Sequence, residues 1–256
     1  MAAKKNLPGA GRVTGAAPAS RLATLWRRCW RFVFWSLLAL TLLLLAWEAS
    51  YYVRIWWWIG HNPASTSFMD QRLGALRASD PNAKLKHQWA AYPRISNNLK
   101  LAVIAAEDTS FIEHEGFDWK GIEKALEKNQ KKGKVVAGGS TITQQLAKNL
   151  FLSGERSYLR KGQEAVITWM IESQMDKDRI LEIYLNVVEW GNGVFGAEAA
   201  ARHYFNISAA QLSREQAARL AAMLPNPRFY DRHRNSAYLE GRVPVLLKRM
   251  NQVEAP

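Results

Sequence analysis

Residues 107–116 read EDTSFIEHEG, and this acidic stretch follows a segment, 99–106, that is apolar except for Lys100. The apolar segment predicts a buried helix that ends where the carboxylates of Glu107 and Asp108 reach a surface. Burial raises the pKa of a carboxyl group and makes it a better base. The acidic pair therefore indicates either a catalytic base or the solvated end of a core helix, and the motifs downstream favour the catalytic base.

The length and composition predict one sizeable domain with appendages. The chain has 256 residues, of which 48% are hydrophobic, so it can bury a core. Seven Lys and Arg residues and no acidic residue lie in the first 31 positions, and this tail carries more than half of the net charge of +13. No zinc-ligand spacing or RNA-binding aromatic motif accompanies the charge, which argues against nucleic acid and favours anionic membrane lipids as a partner.

An uncharged segment from Phe32 to Trp47 predicts a membrane-spanning helix. It is shorter than the roughly 20 residues of a typical span, but Trp and Tyr residues on both sides extend it as interfacial anchors. A cleaved signal peptide is the alternative, and the bulky Trp47 argues against it, because cleavage needs small residues in an Ala-x-Ala-like pattern. The positive-inside rule then predicts a disordered, cytoplasmic basic tail (1–28), a signal-anchor helix (29–53) and an extracytoplasmic domain (54–256).

Beyond the anchor the hydrophobic spacing is helical almost throughout, and no convincing alternating strand is found. Asp118, Ser140 and Asp178 are predicted to cap helices, while Ser213 and Gln216 have the spacing of a capping box.

The faces of these helices can also be predicted from the spacing. Trp119, Ile122 and Leu126 form one apolar face of the helix that follows Asp118. Pro244 is predicted to break or kink the last helix. The domain is therefore predicted to be mainly α, without an internal repeat or a second domain.

A second motif, GGSTITQQLAKN at residues 138–149, predicts a glycine loop followed by the start of a polar helix. If the apolar residues of this helix face the core, then Thr141, Gln145 and Lys148 share another face. That face offers a hydroxyl, an amide and an ammonium group, and free backbone amides at the helix start would add an anion site. A solvated helix face with a good cap is the alternative.

Cations are concentrated in the segment that follows. Arg156, Arg160 and Lys161, together with Lys148, would suit a pyrophosphate. Glu164 lies four residues after Arg160, so a helix can place both side chains on one face. The alternative is an ordinary surface ion pair, which contributes only about 0.3–0.5 kcal/mol.

Neither a nucleotide site nor a metal cluster is indicated. The segment EWGNGVFG at residues 189–196 lacks phosphate-loop spacing and a preceding strand, so it predicts tight turns lining a cleft. The histidines are scattered along the chain, which argues against a metal cluster. His114, in the acidic motif, suits a structural hydrogen bond at least as well as a catalytic role.

Together these motifs resemble the peptidoglycan glycosyltransferase family, specifically its monofunctional, membrane-anchored members. The segments similar to the family's five motifs, in the family's order, are 107–116, 139–149, 160–172, 180–196 and 212–227. They cover most of the chain that follows the anchor.

The resemblance implies a mainly α, lysozyme-like domain of two lobes with a cleft between them, preceded by one transmembrane helix. It implies polymerisation of lipid II into linear glycan strands at the periplasmic face of the cytoplasmic (inner) membrane, with inversion at the anomeric carbon and release of undecaprenyl pyrophosphate. Glu107 would be the general base, and Glu164 would assist as an acid, an electrostatic aid or a metal ligand. The substrate-binding residues would be Asp108, His114, Ser140, Thr141, Gln145, Lys148, Arg156, Arg160 and Lys161.

The sequence requires no cofactor, although a divalent cation (Mg²⁺ or Mn²⁺) at the pyrophosphate fits the resemblance. The implied partners are lipid II, the growing glycan strand and membrane lipids, with cell-division or elongation proteins as further candidates. No Ser-x-x-Lys or Lys-Thr-Gly motif occurs, so a penicillin-sensitive transpeptidase domain is not expected. A lysozyme-like hydrolase and a non-catalytic cell-wall scaffold are the alternative functions, and the basic cluster and the anchor argue against the hydrolase.

Overall fold

A computed structural model describes residues 19–134, 138–155 and 157–256. Two predictions concern other residues: most of the basic tail, and Arg156, which is predicted to bind the pyrophosphate, lie outside the described part of the chain. The chain divides into two units, one ending at Ser50 and the other running from Tyr51 to Pro256.

The predicted anchor lies within one α-helix, α1 (Ala19–Gly60). From Ala23 onward this helix is long and apolar enough to cross a membrane, with a mean hydropathy of 1.9 and no burial in its most apolar window. The helix extends past both ends of the predicted 29–53 segment, because neither glycine nor proline interrupts it before Gly60.

The second unit is mainly α-helical, as predicted. It starts with the last turns of α1 and continues with α2 (Ser67–Arg77), α3 (Asn97–Glu107), α4 (Trp119–Lys132), α5 (Ile142–Phe151), α6 (Tyr158–Glu172), α7 (Lys177–Val187), α8 (Ala197–Phe205), α9 (Arg214–Met223), α10 (Pro227–Arg232) and α11 (Ala237–Arg249). Two 3₁₀ turns lie at Tyr92–Arg94 and Ala209–Gln211.

A small sheet is present that the sequence did not predict. Its strands are β1 (Lys86–His87), β2 (Glu189–Gly191) and β3 (Val194–Phe195), and the central β3 is parallel to β1 and antiparallel to β2. The glycine-rich segment therefore forms a tight hairpin, and both of its strands are buried.

The helices of the second unit form two packed groups. In one group α3, α9 and α11 pack on each other, and in the other α5 packs against α2, α6 and α7. The C-terminal end of α3 carries the acidic pair, so the position of this end decides where the two carboxylates lie relative to the second group.

The capping predictions were correct for two helices and slightly displaced for two others. Asp118 caps α4, and Ser213 caps α9 in a capping box. Thr141, not Ser140, caps α5, because Gln144 lies three residues after Thr141 and completes a capping box with it. The helix predicted to open at Asp178 begins at Lys177 instead.

The apolar face of α4 is largely exposed, and the break predicted at Pro244 does not occur. Trp119 and Leu126 do not face the core: they are 71% and 58% exposed, and α4 buries only Ala125. Helix α11 runs through Pro244 as a single element. Its buried Leu239 and Leu246, on either side of the proline, offset the lost backbone hydrogen bond.

The segment before α3 is fastened to α7 by one buried asparagine. The side-chain oxygen of Asn186 accepts from the Ala90 amide at 2.8 Å, and its side-chain amide donates to the Ala90 and Glu182 carbonyls at 2.9 Å each. Gly196 lies against this residue with a φ of +84°, and a Cβ there would come within 2.8 Å of the Asn186 carbonyl oxygen. Both the backbone conformation and the space at position 196 therefore require glycine.

We expect the substitution Gly196→Ala to lower the free energy of unfolding by about 2 kcal/mol or more, because strain and overlap add at one position. Thermal unfolding of the full chain in detergent, followed by circular dichroism, measures this. The control is Gly74→Ala on the exposed side of α2, where a Cβ meets no atom within 4 Å and should be neutral or stabilising by about 0.5–1 kcal/mol. Equal melting of the two variants would contradict this account of Gly196.

Candidate active site

Glu107 is the last residue of α3, and its half-buried carboxyl group borders a cavity of about 190 Å³. The other walls come from Asp108, the start of α4, the loop 138–140 and Arg249 of α11. The predicted Ser140 is exposed at this cavity. The site is therefore small and polar, with one carboxyl group at the end of a buried helix.

A chain of hydrogen bonds orients the Glu107 carboxylate. Gln145 of α5 donates from Nε2 to Oε2 of Glu107 at 2.7 Å, and the Tyr184 hydroxyl of α7 donates to Oε1 of Gln145 at 2.9 Å. Tyr184 is wholly buried. Because the tyrosine engages the amide oxygen, the amide nitrogen of Gln145 points at Glu107.

The surroundings raise the pKa of Glu107 above its ordinary value. Burial is the largest cause, and the nearby charge of Asp108 adds to it. The hydrogen bond from Gln145 and the charges of Arg242 and Lys148 act in the opposite direction but do not cancel the effect of burial. A carboxylate with a raised pKa, held in one orientation at a cavity, is suited to accept a proton.

Asp108, the other carboxylate of the pair, is buried and has partners for both oxygens. Its Oδ1 accepts from His114 Nε2 at 2.9 Å, and its Oδ2 accepts from the Ile142 amide, the first of α5, at 3.0 Å. The negative charge also lies at the positive end of that helix. Asp108 and His114 therefore join the end of α3 to the start of α5.

Thr141 ties the same helix start to the end of the acidic motif. Its hydroxyl accepts from the Gln144 amide at 3.2 Å and donates to the Gly116 carbonyl at 2.7 Å. Gly116 has a φ of +84°, and a Cβ there would lie 2.7 Å from Cγ2 of Thr168. The first two motifs of the sequence therefore form one connected structure.

The predicted cations lie around Glu164 on α6. This buried carboxylate accepts from Arg160 at 2.7 Å through one oxygen and from Lys161 through the other. The ammonium group of the half-buried Lys148 has no hydrogen-bond or ion-pair partner among the residues that the structure describes. Burial lowers the pKa of Lys148, the charge of Glu164 raises it, and the charges of Arg160 and Lys161 lower it further. Three cations around one carboxylate leave an excess of positive charge for an anion.

The donor set around Glu164 does not suit a divalent ion. Both of its oxygens accept from cations, and no group of three His, Cys, Asp or Glu side chains suited to a metal occurs in the described residues. Mg²⁺ and Mn²⁺ prefer several oxygen ligands. A divalent cation at the pyrophosphate stays a prediction.

Three residues at the site had no role in the sequence analysis. Tyr184 lies inside a recognised motif, while Arg242 and Arg249 belong to α11, which follows the last motif. The seven-residue spacing of both arginines matches that of the buried Leu239 and Leu246, so their shared helix face could be predicted. The sequence could not predict that this helix face approaches the carboxylate of Glu107.

Comparison with known proteins identifies the family. The profile of the transglycosylase family matches residues 74–251, which is more than half of the chain. The chain belongs to this family. It is 64% identical over 226 residues to the biosynthetic peptidoglycan transglycosylase of Herminiimonas arsenicoxydans, covering 88% of this chain and 98% of that protein. Similar relatives with the same name occur in Janthinobacterium sp. (strain Marseille), at 63% identity over 88% and 98%, and in Thiobacillus denitrificans, at 57% over 90% and 99%.

Membership of the transglycosylase family confirms the predicted lysozyme-like helical fold and the predicted enzyme class, a peptidoglycan glycosyltransferase of cell-wall biosynthesis. The long apolar N-terminal helix fits a membrane-anchored enzyme.

The raised pKa of Glu107 predicts a pH-dependent effect on stability. A carboxyl whose pKa is higher in the folded state destabilises the fold once the pH exceeds its unfolded value, which is near 4.5. We therefore expect the Glu107→Gln variant of this transglycosylase to melt above the wild type at pH 8, and the difference to vanish as the pH falls to 4. Calorimetry or circular dichroism across this range measures it.

Glu113→Gln, at an exposed position of the same loop, is the matched control and should leave the melting temperature unchanged. A Glu107→Gln variant that melts below the wild type at pH 8 would show that the charges around Glu107 outweigh its burial.

Proposed function

We propose that this transglycosylase polymerises lipid II into linear glycan strands and releases undecaprenyl pyrophosphate, with Glu107 as the general base. The observation that carries the proposal is the oriented, half-buried Glu107 carboxyl at a cavity, with its pKa raised and a cluster of cations nearby. The names of the relatives, biosynthetic peptidoglycan transglycosylases, support the substrate class.

In the proposed reaction the acceptor's sugar 4-hydroxyl gives its proton to Glu107 as its oxygen attacks the anomeric carbon of the growing chain. A bond forms between this oxygen and the anomeric carbon while the bond from that carbon to the pyrophosphate oxygen breaks. The bonding electron pair leaves with undecaprenyl pyrophosphate. Attack from the face opposite the leaving group inverts the anomeric carbon.

A pyrophosphate leaving group needs charge neutralisation more than it needs a proton. Lys148, Arg160 and Lys161 provide positive charge, and Arg156 is proposed to join them. Glu164 accepts from Arg160 and Lys161, so it holds two of these cations in place. Of the three roles considered for Glu164, this arrangement favours the electrostatic aid.

A lipid-linked substrate also accounts for the anchor, because attachment to the same membrane raises the effective concentration of the substrate. We place the N-terminus in the cytoplasm and the catalytic unit in the periplasm, at the inner membrane, since the basic residues precede the apolar segment. Cell-division or elongation proteins are proposed partners.

The proposal is tested by incubating the detergent-solubilised full chain with labelled lipid II and separating the products on a gel. A ladder of chains that muramidase digests is the expected result. If no ladder forms, preformed glycan is supplied. Cleavage of this glycan would show that the protein is a lysozyme-like hydrolase. Intact glycan would leave a non-catalytic cell-wall scaffold as the remaining function.

The role of Glu107 predicts that Glu107→Gln lowers the polymerisation rate by about 10²- to 10⁴-fold, the range for loss of a general base. Lipid II binding should remain, because glutamine keeps the size of the side chain and its bond from Gln145. Rates and binding are compared with those of Glu113→Gln, which should be as active as the wild type. An unchanged polymerisation rate in the Glu107→Gln variant would exclude Glu107 as the general base.

The free ammonium group of Lys148 should act mainly on the leaving group. We expect Lys148→Gln to lower kcat by about 10²- to 10³-fold, as for other preorganised electrostatic groups, with a smaller change in KM. Lys128→Gln, which removes an exposed cation from α4, is the control in the same steady-state assay. A raised KM with unchanged kcat would mean that Lys148 only binds substrate.

A further inference from the structure

Helix α11 carries two arginines on one face. Arg242 and Arg249 are seven residues apart, which is two helical turns and a rise of about 10 Å. Leu239 and Leu246, three residues before each of them, are buried and fix the rotation of the helix. Both guanidinium groups are therefore held on a defined side of a packed helix.

This side of α11 faces the site of Glu107. Arg249 borders the same cavity as Glu107. The charge of Arg242 acts on Glu107 more strongly than the charge of Lys148 does. Helix α11 packs directly on α3, the helix that ends at Glu107.

The side chains of both arginines lack a partner among the described residues. Within the described part of the chain, neither the Arg242 nor the Arg249 side chain has a hydrogen bond or an ion pair. By contrast, Arg160 and Arg179 are held by Glu164 and Glu182. Two arginines without partners, beside a cavity, are available to an anion from outside the protein.

The two sets of cations belong to different helix groups. Lys148, Arg160 and Lys161 belong to α5 and α6, whereas Arg242 and Arg249 belong to α11, which packs with α3 and α9. The proposed reaction, on which this inference rests, joins two lipid-linked molecules. One pyrophosphate leaves with the donor's lipid, and the other stays on the acceptor, so the reaction involves two anions.

We propose that Arg242 and Arg249 bind the pyrophosphate of the acceptor, the molecule whose hydroxyl Glu107 deprotonates. Guanidinium groups bind phosphate oxygens through paired hydrogen bonds, which fixes orientation as well as position. Binding on α11 holds the acceptor beside Glu107, while the cations of α5 and α6 hold the donor. The two arginines are substrate-binding residues, and they take no part in bond making or breaking.

The first test measures binding without turnover. The full chain carrying Glu107→Gln is titrated with lipid II in detergent micelles by calorimetry, with and without R242Q and R249Q. We expect two lipid II molecules per protein, and one after the arginines are removed. The control removes two exposed cations elsewhere, K248Q and K84Q, and should keep both sites. Equal binding with and without the arginines would overturn the inference. No binding by Glu107→Gln itself would instead refute the proposed lipid II activity.

The second test identifies the group that the arginines bind. With a lipid-linked glycan donor at saturation, R242Q/R249Q should raise the KM for acceptor lipid II at least about tenfold, the effect of one charge-assisted hydrogen bond. R242K/R249K should restore part of the affinity. An acceptor that carries an uncharged methyl group in place of the lipid pyrophosphate should be used equally well by wild type and R242Q/R249Q.

Two results of the second test would overturn the proposal. One is an equal rise in KM with the methyl acceptor, which would mean that another group, such as a peptide carboxylate, is bound. The other is a change confined to kcat together with a shifted pH profile, which would mean that the arginines act only through the charge of Glu107.

Discussion

The structure of the site depends on the buried carboxylate of Asp108. One of its oxygens accepts from His114 and the other from the first amide of α5, so the end of α3 and the start of α5 are fixed to each other. Gln145 lies one helical turn beyond that amide and therefore reaches Glu107. The two neighbouring carboxylates thus have different roles. Both oxygens of Asp108 accept hydrogen bonds within the protein, whereas Glu107 keeps one oxygen free at the cavity.

The electrostatics of the site result from two opposing effects on Glu107. Burial raises its pKa and makes it a stronger base, while the cations of α5 and α11 limit the rise. Without burial the same cations would make it a weak base. Burial outweighs the cations, so the net effect is a raised pKa of Glu107, which suits a general base.

Most of the fold could be predicted because the sequence signals of a helix lie within a few residues of each other. Apolar spacing and caps such as Asp118 and Ser213 depend on residues a few positions apart. The strands could not be predicted, since β1 and β3 have two residues each and no alternation to detect. The exposed face of α4 depends on tertiary contacts, which override local pattern. The cap of α5 follows the local spacing of Thr141 and Gln144, which form a capping box.

For the site residues, too, the sequence identifies the residues but not the contacts that packing creates between them. Glu107, Gln145 and Glu164 lie in motifs, so a resemblance could find them, but the partner of each one is set by packing between helices. The partners of Glu164 show what the structure adds to the sequence. A hydrolase of the lysozyme type needs its second carboxyl group to donate a proton or activate water. Here both oxygens of Glu164 accept from cations, which we propose neutralise the pyrophosphate. This distribution of charge supports transfer from a pyrophosphate over hydrolysis of a glycan.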